Sequence, residues 1–514
     1  MNSRSILLAI ASGCLLVLTF PSFNVHYLSW IALVPLFFAL NWQTVKSGFA
    51  LGAITGLVLF GGTVFWVTNS IHHFGGLQLL PASLVTLLLC VYLALYPAIF
   101  GAAIVHLKRN HPSLLFLSAP ALWTALELAR TYIFSGFPWA LLGYSQAPAL
   151  PVIQIADITG VYGISFLIVL VNTAAAEFFM DRKKFAGLIA AALALSITLG
   201  YGFPKLHGPE GSETLTVSVI QGNIEQDKKW DPEYRAAVIA TYSRLTRAAL
   251  RQKPDLVIWP ETATPFYFGG GGRTDSALTA DLKEFVKRNR TPLLFGSPTY
   301  DVQPGRVIRL YNSAFLLSAG GTIDAEYNKI HLVPFGEYVP LKGALFFVEK
   351  LVQAIGDFRP GKQFTVMPVR SVEGRSTGGA GMSTVICYEI IFPNLVRTFV
   401  DRGARIMTTI TNDAWFGRTP APYQHFSMAV FRAVENRVPV ARAANTGVSG
   451  FIDAAGRVLA KTDIFTEAQL THTLSFSPGT EKTFYTRHGD LLAYLCMLVS
   501  LIMLASNYFI AAKK

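Results

Sequence analysis

Three side chains with complementary chemistries stand at or beside the ends of apolar stretches in this sequence. Glu261 follows LVIWP, Lys329 lies within EYNKIHLVPFGEYVP, and Cys387 follows STVI. Cysteine attacks as its thiolate, so a nearby carboxylate that removes the thiol proton and an ammonium that lowers the thiol pKa would activate it. The ammonium would also stabilise the oxyanion of a tetrahedral acyl intermediate. Together the three residue types predict acyl chemistry through a covalent enzyme intermediate.

Each of these residues also has a purely structural interpretation. Cysteine is among the most buried residue types, so Cys387 is also consistent with a free thiol that fills a core. Glu261 after a proline is consistent with a helix cap, and Lys329 with a surface charge. His331 is an alternative base for Cys387, as in a cysteine–histidine pair, and spacing alone leaves both bases open.

The region that contains these residues predicts an α/β domain. Short apolar stretches alternate with helical patterns, which is typical of helices layered on a mostly internal sheet. An aspartate followed by proline at the start of a pattern indicates a helix N-terminus, so Asp231 is the predicted N-cap. The predicted strands are Leu215–Gln221, Asp255–Trp259, Pro292–Gly296, Tyr311–Ser318, Met382–Cys387 and Ile406–Thr411, and the predicted helices are Asp231–Arg251 and Ser276–Arg288.

The rest of the chain indicates a polytopic membrane protein. Of its 514 residues, 52% are hydrophobic and 14% charged, whereas a soluble domain carries about 25% charged residues. A membrane-spanning helix needs about 20 mainly apolar residues. About eight candidate spans result: Ile6–Phe20, Tyr27–Leu40, Gly48–Val67, Leu84–Val105, Leu114–Phe134, Tyr162–Met180, Ala186–Tyr201 and Leu491–Ile510.

Loop charges predict the orientation of these spans. The loops near residues 21–26, 71–80 and 135–160 contain no lysine or arginine. We therefore expect residues 1–203 to form the N-terminal membrane helices, 204–488 a catalytic domain in the periplasm, and 489–514 a C-terminal membrane helix. The expected location is the bacterial inner membrane, which the protein would cross several times. The cytoplasmic charges are Arg4, Lys46, Lys108, Arg109, Arg182, Lys183, Lys184, Lys513 and Lys514.

Charge and cysteine content narrow the possible functions. The net charge is +12, and much of the positive excess lies in short membrane loops, whereas nucleic-acid binding needs a clustered basic patch. No nucleic-acid partner is therefore expected. Cys14, Cys90 and Cys496 fall in apolar runs, which does not fit a disulfide framework. Glu127 and Arg130 lie one helical turn apart within the fifth span, and both a functional role and mutual neutralisation remain open.

Several motifs resemble the nitrilase superfamily. They are IWPET with Glu261, YNKIHLVPFGEYVP with Lys329, ICYE with Cys387, TNDAWFG at Thr411–Gly417 and RAVENRVPVARAANTGVSG at Arg432–Gly450. That superfamily uses a Glu-Lys-Cys triad on an αββα sandwich. Joined to a polytopic membrane part, the motifs resemble the apolipoprotein N-acyltransferase family from end to end.

The resemblance implies a reaction and its site residues. An acyl chain would pass from a membrane phospholipid to the α-amino group of an N-terminal diacylglyceryl-cysteine, the last step of lipoprotein maturation, with no cofactor or metal and with a monomeric enzyme. Cys387 would form the thioacyl enzyme, Glu261 would transfer protons, and Lys329 with the Tyr388 N–H would hold the oxyanion. Glu337 would support the amine or Lys329. The further supporting or substrate-contacting positions are Trp230, Asn312, Tyr388, Glu389 and Trp415.

The stretch Leu341–Phe358, directly after the Lys329 loop, has apolar residues at helical spacing. It is consistent with ordinary core or with an amphipathic arm on the bilayer surface. Two other functions are possible in principle. A membrane-tethered amidase or nitrilase would need only one anchor, and a transporter would need paired polar residues along several spans. The sequence therefore favours the acyltransferase.

Overall fold

The computed structural model describes residues 1–110, 114–208, 211–229, 231–303, 307–338, 358–368, 381–477, 479 and 481–511. The chain divides into two compact units. The first comprises Met1–Thr68, Gln78–Gly208 and His488–Lys514, and the second comprises Asn69–Leu77 and Pro209–Arg487. The short stretch Asn69–Leu77 thus belongs with the second unit, although the sequence assigns it to a loop between two membrane spans.

The first unit is helical. Four of its helical segments in the described ranges are long and apolar enough to cross a membrane: Val45–Val64, Leu79–Asn110, Ala156–Met180 and Arg182–Leu206. This supports the predicted helical membrane part. Its α-helices are Ser3–Leu18, Val34–Ala39, Val45–Val64, Leu79–Asn110, Leu115–Tyr132, Leu150–Ile153, Ala156–Met180, Phe185–Leu206 and Leu491–Ala511, and Val67–His73 leads into the second unit.

The sequence predicts about eight spans; in the described part of the chain four segments meet the criterion of length and hydropathy, and shorter apolar helices include Ser3–Leu18 and Leu491–Ala505. The clearest difference is at residues 27–40. They form a 3₁₀ turn, His26–Trp30, and a separate six-residue helix, Val34–Ala39. Proline is at the start of that helix, where its missing N–H is tolerated but where it cannot continue a preceding helical turn.

Glu127 and Arg130 stabilise a loop of the first unit. Arg130 donates to the carbonyl oxygens of Trp139 at 2.6 Å and Ala140 at 3.3 Å. Glu127 Oε1 accepts from the Leu142 N–H at 2.7 Å and from the Trp123 indole at 3.0 Å. Both side chains are buried, and apart from the Trp123 indole these partners are backbone groups of the segment that follows their helix. The pair therefore has a structural role in holding this loop.

The second unit contains two six-stranded sheets. The first has the order β12-β1-β2-β3-β4-β5 and the second β11-β10-β9-β8-β7-β6. The central pairs β1–β2–β3 and β7–β8–β9 are parallel, so the carboxyl ends of β2 and β7 each lie at one edge of a sheet. The strands are β1 Glu213–Gln221, β2 Leu256–Ile258, β3 Leu293–Gln303, β4 Val307–Leu317, β5 Ile323–Asn328, β6 Met367–Pro368, β7 Gly381–Ile386, β8 Ala404–Thr411, β9 Val440–Ala444, β10 Gly450–Ile452, β11 Val458–Lys461 and β12 Ala468–Phe476.

Helices cover the outer faces of both sheets. The helix Arg235–Ala249 buries Val238, Tyr242 and Leu245, which recur at helical spacing and share one core with residues of the first sheet. The second sheet carries helices Pro393–Asp401 and Ala421–Asn436, and β1 and β4 contact β9 and β7 across the interior. This α–β–β–α arrangement confirms the predicted nitrilase-like fold class. The remaining helices are Gln226–Lys229, Arg273–Asn289 and Phe484–His488.

Element boundaries differ modestly from the prediction. Asp231 does not cap a helix: its carboxylate accepts from the Glu233 N–H at 2.9 Å in a turn, and the helix begins at Arg235. The local aspartate-to-amide bond competes with the helix start, as aspartate often does. Cys387 does not belong to the strand that precedes it, because β7 ends at Ile386 and a 3₁₀ turn begins at Cys387.

Candidate active site

The candidate nucleophile lies at a sharp turn after β7. Cys387 has φ of +54° and only 7% of its surface is exposed. A non-glycine residue in the left-handed region carries a conformational cost that the surrounding structure must offset. Part of the support comes from Glu389, whose Oε2 accepts from the Ile386 N–H at 2.7 Å. The thiol is therefore held rigidly at the end of the strand.

The candidate base, Glu261, is fixed by hydrogen bonds at both carboxylate oxygens. Oε1 accepts from Asn312 Nδ2 at 2.8 Å, and Oε2 accepts from the Asn412 N–H at 2.9 Å. Thr262, the next residue, has φ of +46°. A Cβ at Gly296 would lie 2.7 Å from the Glu261 Cα, so the turn packs against β3 only because glycine stands there. The carboxylate consequently has a single well-defined position.

The candidate ammonium, Lys329, follows β5 and is 1% exposed. Its Nζ lies 2.9 Å from Glu337 Oε1 and 3.6 Å from Glu261 Oε1. Asn312 Nδ2 donates to both Glu261 and Glu337, so one amide bridges the two carboxylates. The four side chains form a connected cluster that we call the lysine–carboxylate cluster. Glu337 and Asn312, which the resemblance implies as supporting residues, thus lie within the site.

Glu389 joins the loop after Lys329 to the nucleophile turn. Its Oε1 accepts from the N–H groups of Ile330 at 2.7 Å and His331 at 3.0 Å, and from the Tyr327 hydroxyl at 2.7 Å. Its other oxygen binds the Ile386 N–H. These hydrogen bonds link the segment after Lys329 to the turn that carries Cys387, so the geometry gives Glu389 a positioning role.

Burial and charge set the protonation states of the cluster. Burial raises the pKa of the Cys387 thiol and Glu261 raises it further, while Lys329 lowers it only in part. Burial alone would lower the pKa of Lys329, but the carboxylates of Glu337 and Glu261 raise it above its ordinary value. The site therefore holds an ammonium ion and a neutral thiol. A base must remove the thiol proton as the attack occurs, since Lys329 does not create a resting thiolate.

A second buried network lies behind the nucleophile. His425 Nε2 is 3.1 Å from the Cys387 carbonyl oxygen, and its Nδ1 is 3.1 Å from Asp413 Oδ1. Arg442 donates to Asp413 Oδ2 at 2.8 Å. All three side chains are fully buried. We call them the Asp413–His425–Arg442 network, and its contact with the Cys387 carbonyl supports the strained turn.

The remaining predicted positions are Tyr388, His331, Trp415, Trp230 and the arm. Tyr388 is buried with its ring against His331 and Phe392, whose ring centroids lie 5.9 and 5.2 Å away. The His331 ring lies against the same aromatic residues. Trp415 is partly exposed, and its carbonyl oxygen accepts from the Ser70 hydroxyl at 2.7 Å. Trp230 and the proposed arm at residues 341–357 lie outside the described residues.

Sequence reasoning missed several side chains that reach the site from a distance. Asn412 directly follows β8 and lies within the TNDAWFG motif. A polar residue at a strand end could have marked it as a candidate site residue. His425 and Arg442 are polar residues within buried elements, which also indicates a specific role. Lys229 stands in the run QDKKW and has the appearance of a solvated charge. In the structure it is completely buried and donates to the Glu261 carbonyl oxygen.

Comparison with known proteins covers nearly the whole chain. Residues 12–174 match the apolipoprotein N-acyltransferase N-terminal domain, and residues 216–480 match the carbon-nitrogen hydrolase domain. A protein of Geobacter metallireducens named apolipoprotein N-acyltransferase is 42% identical over 98% of this chain and 95% of its own length. The chain belongs to the apolipoprotein N-acyltransferase family. The predicted family and nitrilase-like domain are thereby confirmed.

Other relatives extend the same picture. The Haemophilus influenzae protein of the same name is 33% identical over 99% of this chain and 95% of its own length. Among solved structures, a nitrilase-superfamily amidase from Nesterenkonia is 20% identical, with a TM-score of 0.39, over 56% of this chain and 98% of its own. The relatives named apolipoprotein N-acyltransferase confirm the enzyme class that was predicted from the sequence.

Proposed function

We propose that this protein transfers an acyl chain from a membrane phospholipid, through a thioester on Cys387, to the α-amino group of the diacylglyceryl-cysteine that begins an apolipoprotein. Family membership gives the reaction class. The observation that carries the route is the lysine–carboxylate cluster, in which Glu261 and Lys329 lie 3.6 Å apart and both act electrostatically on the Cys387 thiol. A base, a cation and a nucleophile are thus brought together.

In the first half-reaction the thiol attacks the ester carbonyl carbon of the phospholipid. Glu261 takes the thiol proton as the carbon–sulfur bond forms, because the resting thiol is neutral. Lys329 and the Tyr388 N–H stabilise the negative charge on the carbonyl oxygen. When the intermediate collapses, the ester carbon–oxygen bond breaks and Glu261 returns the proton to the departing oxygen. The products are a lysophospholipid and the Cys387 thioester.

In the second half-reaction the neutral amine of the diacylglyceryl-cysteine attacks the thioester carbonyl. Glu261 accepts the amine proton, the carbon–sulfur bond breaks, and the proton passes to the departing sulfur. Glu337 accepts from Lys329 and from the Val333 N–H, so it keeps the ammonium in place through both steps. The enzyme ends in its starting protonation state with an amide formed on the lipoprotein.

We also propose a location for this chemistry. The protein is a membrane protein, and the absence of lysine and arginine from alternate loops of the sequence supports a multi-pass orientation with residues 204–488 in the periplasm. Residues 1–203 and 489–514 would anchor it in the inner membrane. The proposal also includes a monomeric enzyme.

A transfer assay tests this function. Purified enzyme is incubated with phospholipid micelles and a synthetic diacylglyceryl-cysteine peptide, and the peptide mass is measured. We expect a gain of one acyl chain on the peptide amine, with one lysophospholipid released per transfer. Cys387→Ala is the matched control and should give none. Acylated peptide from the alanine variant, or peptide left unmodified by an active preparation, would overturn the proposal.

A further inference from the structure

Lys229 is a second buried lysine beside the candidate base. It ends the short helix Gln226–Lys229, and its side chain has no exposed surface. Its Nζ donates to the Glu261 carbonyl oxygen at 3.0 Å. The neighbouring residue, Lys228, is instead exposed and pairs with Glu225 at 2.7 Å. Burial of an ammonium is costly unless it has a specific partner, so the two adjacent lysines have different roles.

The segment that carries Lys229 contacts the base at a second point. Gln226 Oε1 accepts from Asn412 Nδ2 at 2.6 Å, and the Asn412 N–H donates to Glu261 Oε2. Asn445 fixes the start of the segment through both the N–H and the carbonyl of Ile224. The Glu261 main chain and its carboxylate are therefore both tied to residues 224–229. Such a connection holds a base within the small tolerance that proton transfer requires.

The charges around Lys229 are those of the site itself. Burial lowers its pKa to about 8, and negative charge on Glu261, from the turn after β2, or on the Cys387 sulfur, from the turn after β7, opposes this fall. In the lysine–carboxylate cluster, Glu261 and Glu337 share the single ammonium of Lys329. A protonated Lys229 balances the second carboxylate. It also opposes the negative charge that develops when sulfur attacks.

We propose that Lys229 is a positioning residue of the acyl-transfer site, which holds the main chain of Glu261 and supplies the second positive charge beside the Glu261–Cys387 pair. This inference rests on the proposed function, because it assigns Lys229 a part in forming the Cys387 thioester. Lys229 acts through Glu261 and has no exposed surface, so it affects the rate of thioester formation and not the affinity for phospholipid.

Three variants of the full-length enzyme test the inference. Lys229→Met keeps much of the length and removes the charge, Lys229→Arg keeps the charge, and Lys228→Met is the exposed control. The measurement is the single-turnover rate of thioester formation with phosphatidylglycerol micelles, determined from the intact mass of the enzyme over time. We expect Lys229→Met to be slower by about 100-fold, with an unchanged half-saturating lipid concentration. Lys229→Arg should recover part of the rate, and Lys228→Met should match the wild type.

The pH profile separates this role from simple packing. The wild-type rate should fall as the pH rises through about 8, because Lys229 then loses its proton. Lys229→Arg, which stays charged, should lack that descending limb.

The outcomes distinguish the inference from the function beneath it. If the wild type forms no thioester, the proposed function fails. If the wild type forms it and Lys229→Met is equally fast, or changes only the half-saturating lipid concentration, the inference fails. If Lys229→Met does not fold, the pH–rate profiles of the wild type and Lys229→Arg decide. A wild-type profile without the descending limb contradicts the inference, and so does the same limb in Lys229→Arg.

Discussion

Two of the buried ionic groups of the catalytic unit differ in how their carboxylates are bound. In the Asp413–His425–Arg442 network, Asp413 accepts from arginine, and histidine lies within hydrogen-bond distance. In the lysine–carboxylate cluster, two carboxylates contact one lysine and share one amide of Asn312. The first network thus has a partner at each oxygen of its single carboxylate. The second leaves Glu261 able to accept a proton.

The pKa values follow the same division. Burial alone would raise the pKa of Asp413, but Arg442 and His425 hold it at about 2. Burial and the Glu261 charge raise the pKa of the Cys387 thiol instead. Asp413 thus keeps a fixed charge and its network supports the backbone, whereas we propose that Glu261 in the lysine–carboxylate cluster moves protons. The difference suggests that changes in the first should alter stability and changes in the second should alter rate.

The largest effect is expected from the base. Glu261→Gln keeps the size of the side chain but cannot accept the thiol proton, so thioester formation should be slower by about 1,000-fold. The rate of thioester formation is measured by incubating the enzyme with phospholipid alone, stopping the reaction at set times and determining the lysophospholipid released. The melting temperature should change little. A normal burst of lysophospholipid from this variant would remove Glu261 as the base.

The second-largest effect is expected from Asp413→Asn, which should lower the free energy of unfolding. It leaves the Arg442 charge buried without its carboxylate, and loss of one partner of a buried pair costs about 3–5 kcal/mol. The native pKa of Asp413 lies below its ordinary value of 3.8, so its stabilisation is complete above 3.8 and is lost as the pH falls towards 2. Thermal unfolding in detergent at several pH values measures both effects. Unchanged stability in this variant, or the wild-type acid sensitivity, would contradict the assignment.

Lys329→Arg keeps the charge of the cluster but changes its geometry. The guanidinium cannot place one donor where Lys329 Nζ meets Glu337 and Glu261, so we expect thioester formation to slow by roughly 100-fold with stability maintained. The rate is measured by intact mass as above, and Lys482→Arg, at a partly buried pair with Asp401, is the control. Turnover close to wild type would mean that only long-range charge matters.

The smallest effect concerns the segment Asn69–Leu77. Ser70→Ala removes the hydroxyl that donates to the Trp415 carbonyl oxygen at 2.7 Å, which should cost about 1 kcal/mol and loosen the loop after β8. Fluorescence of Trp415 would be masked by other tryptophans, so limited proteolysis near residue 415 is the better measurement. Cleavage no faster than in the wild type would show that this bond is not what holds the loop.

The two networks also show what a sequence can and cannot predict. Glu261 and Cys387 each stand beside a short apolar strand, so these strands and their terminal residues were predictable, whereas Lys329 follows the polar strand β5, which was not predicted. Asn312 and Glu337 were reached only through the family resemblance. Lys229, His425 and Arg442 act through partners far away in the chain: Arg442 lies 29 residues from Asp413, and Lys229 lies 32 residues from Glu261. No local pattern distinguishes such a buried charge from a solvated one.

The measurement that tests the central claim most directly is intact mass spectrometry of the purified enzyme after incubation with phospholipid and no acceptor. We expect a gain of one fatty-acyl mass on the wild-type protein, absent from Cys387→Ala and discharged by a diacylglyceryl-cysteine peptide. A wild-type protein that releases lysophospholipid to this peptide without ever carrying the acyl mass would contradict a covalent route through Cys387.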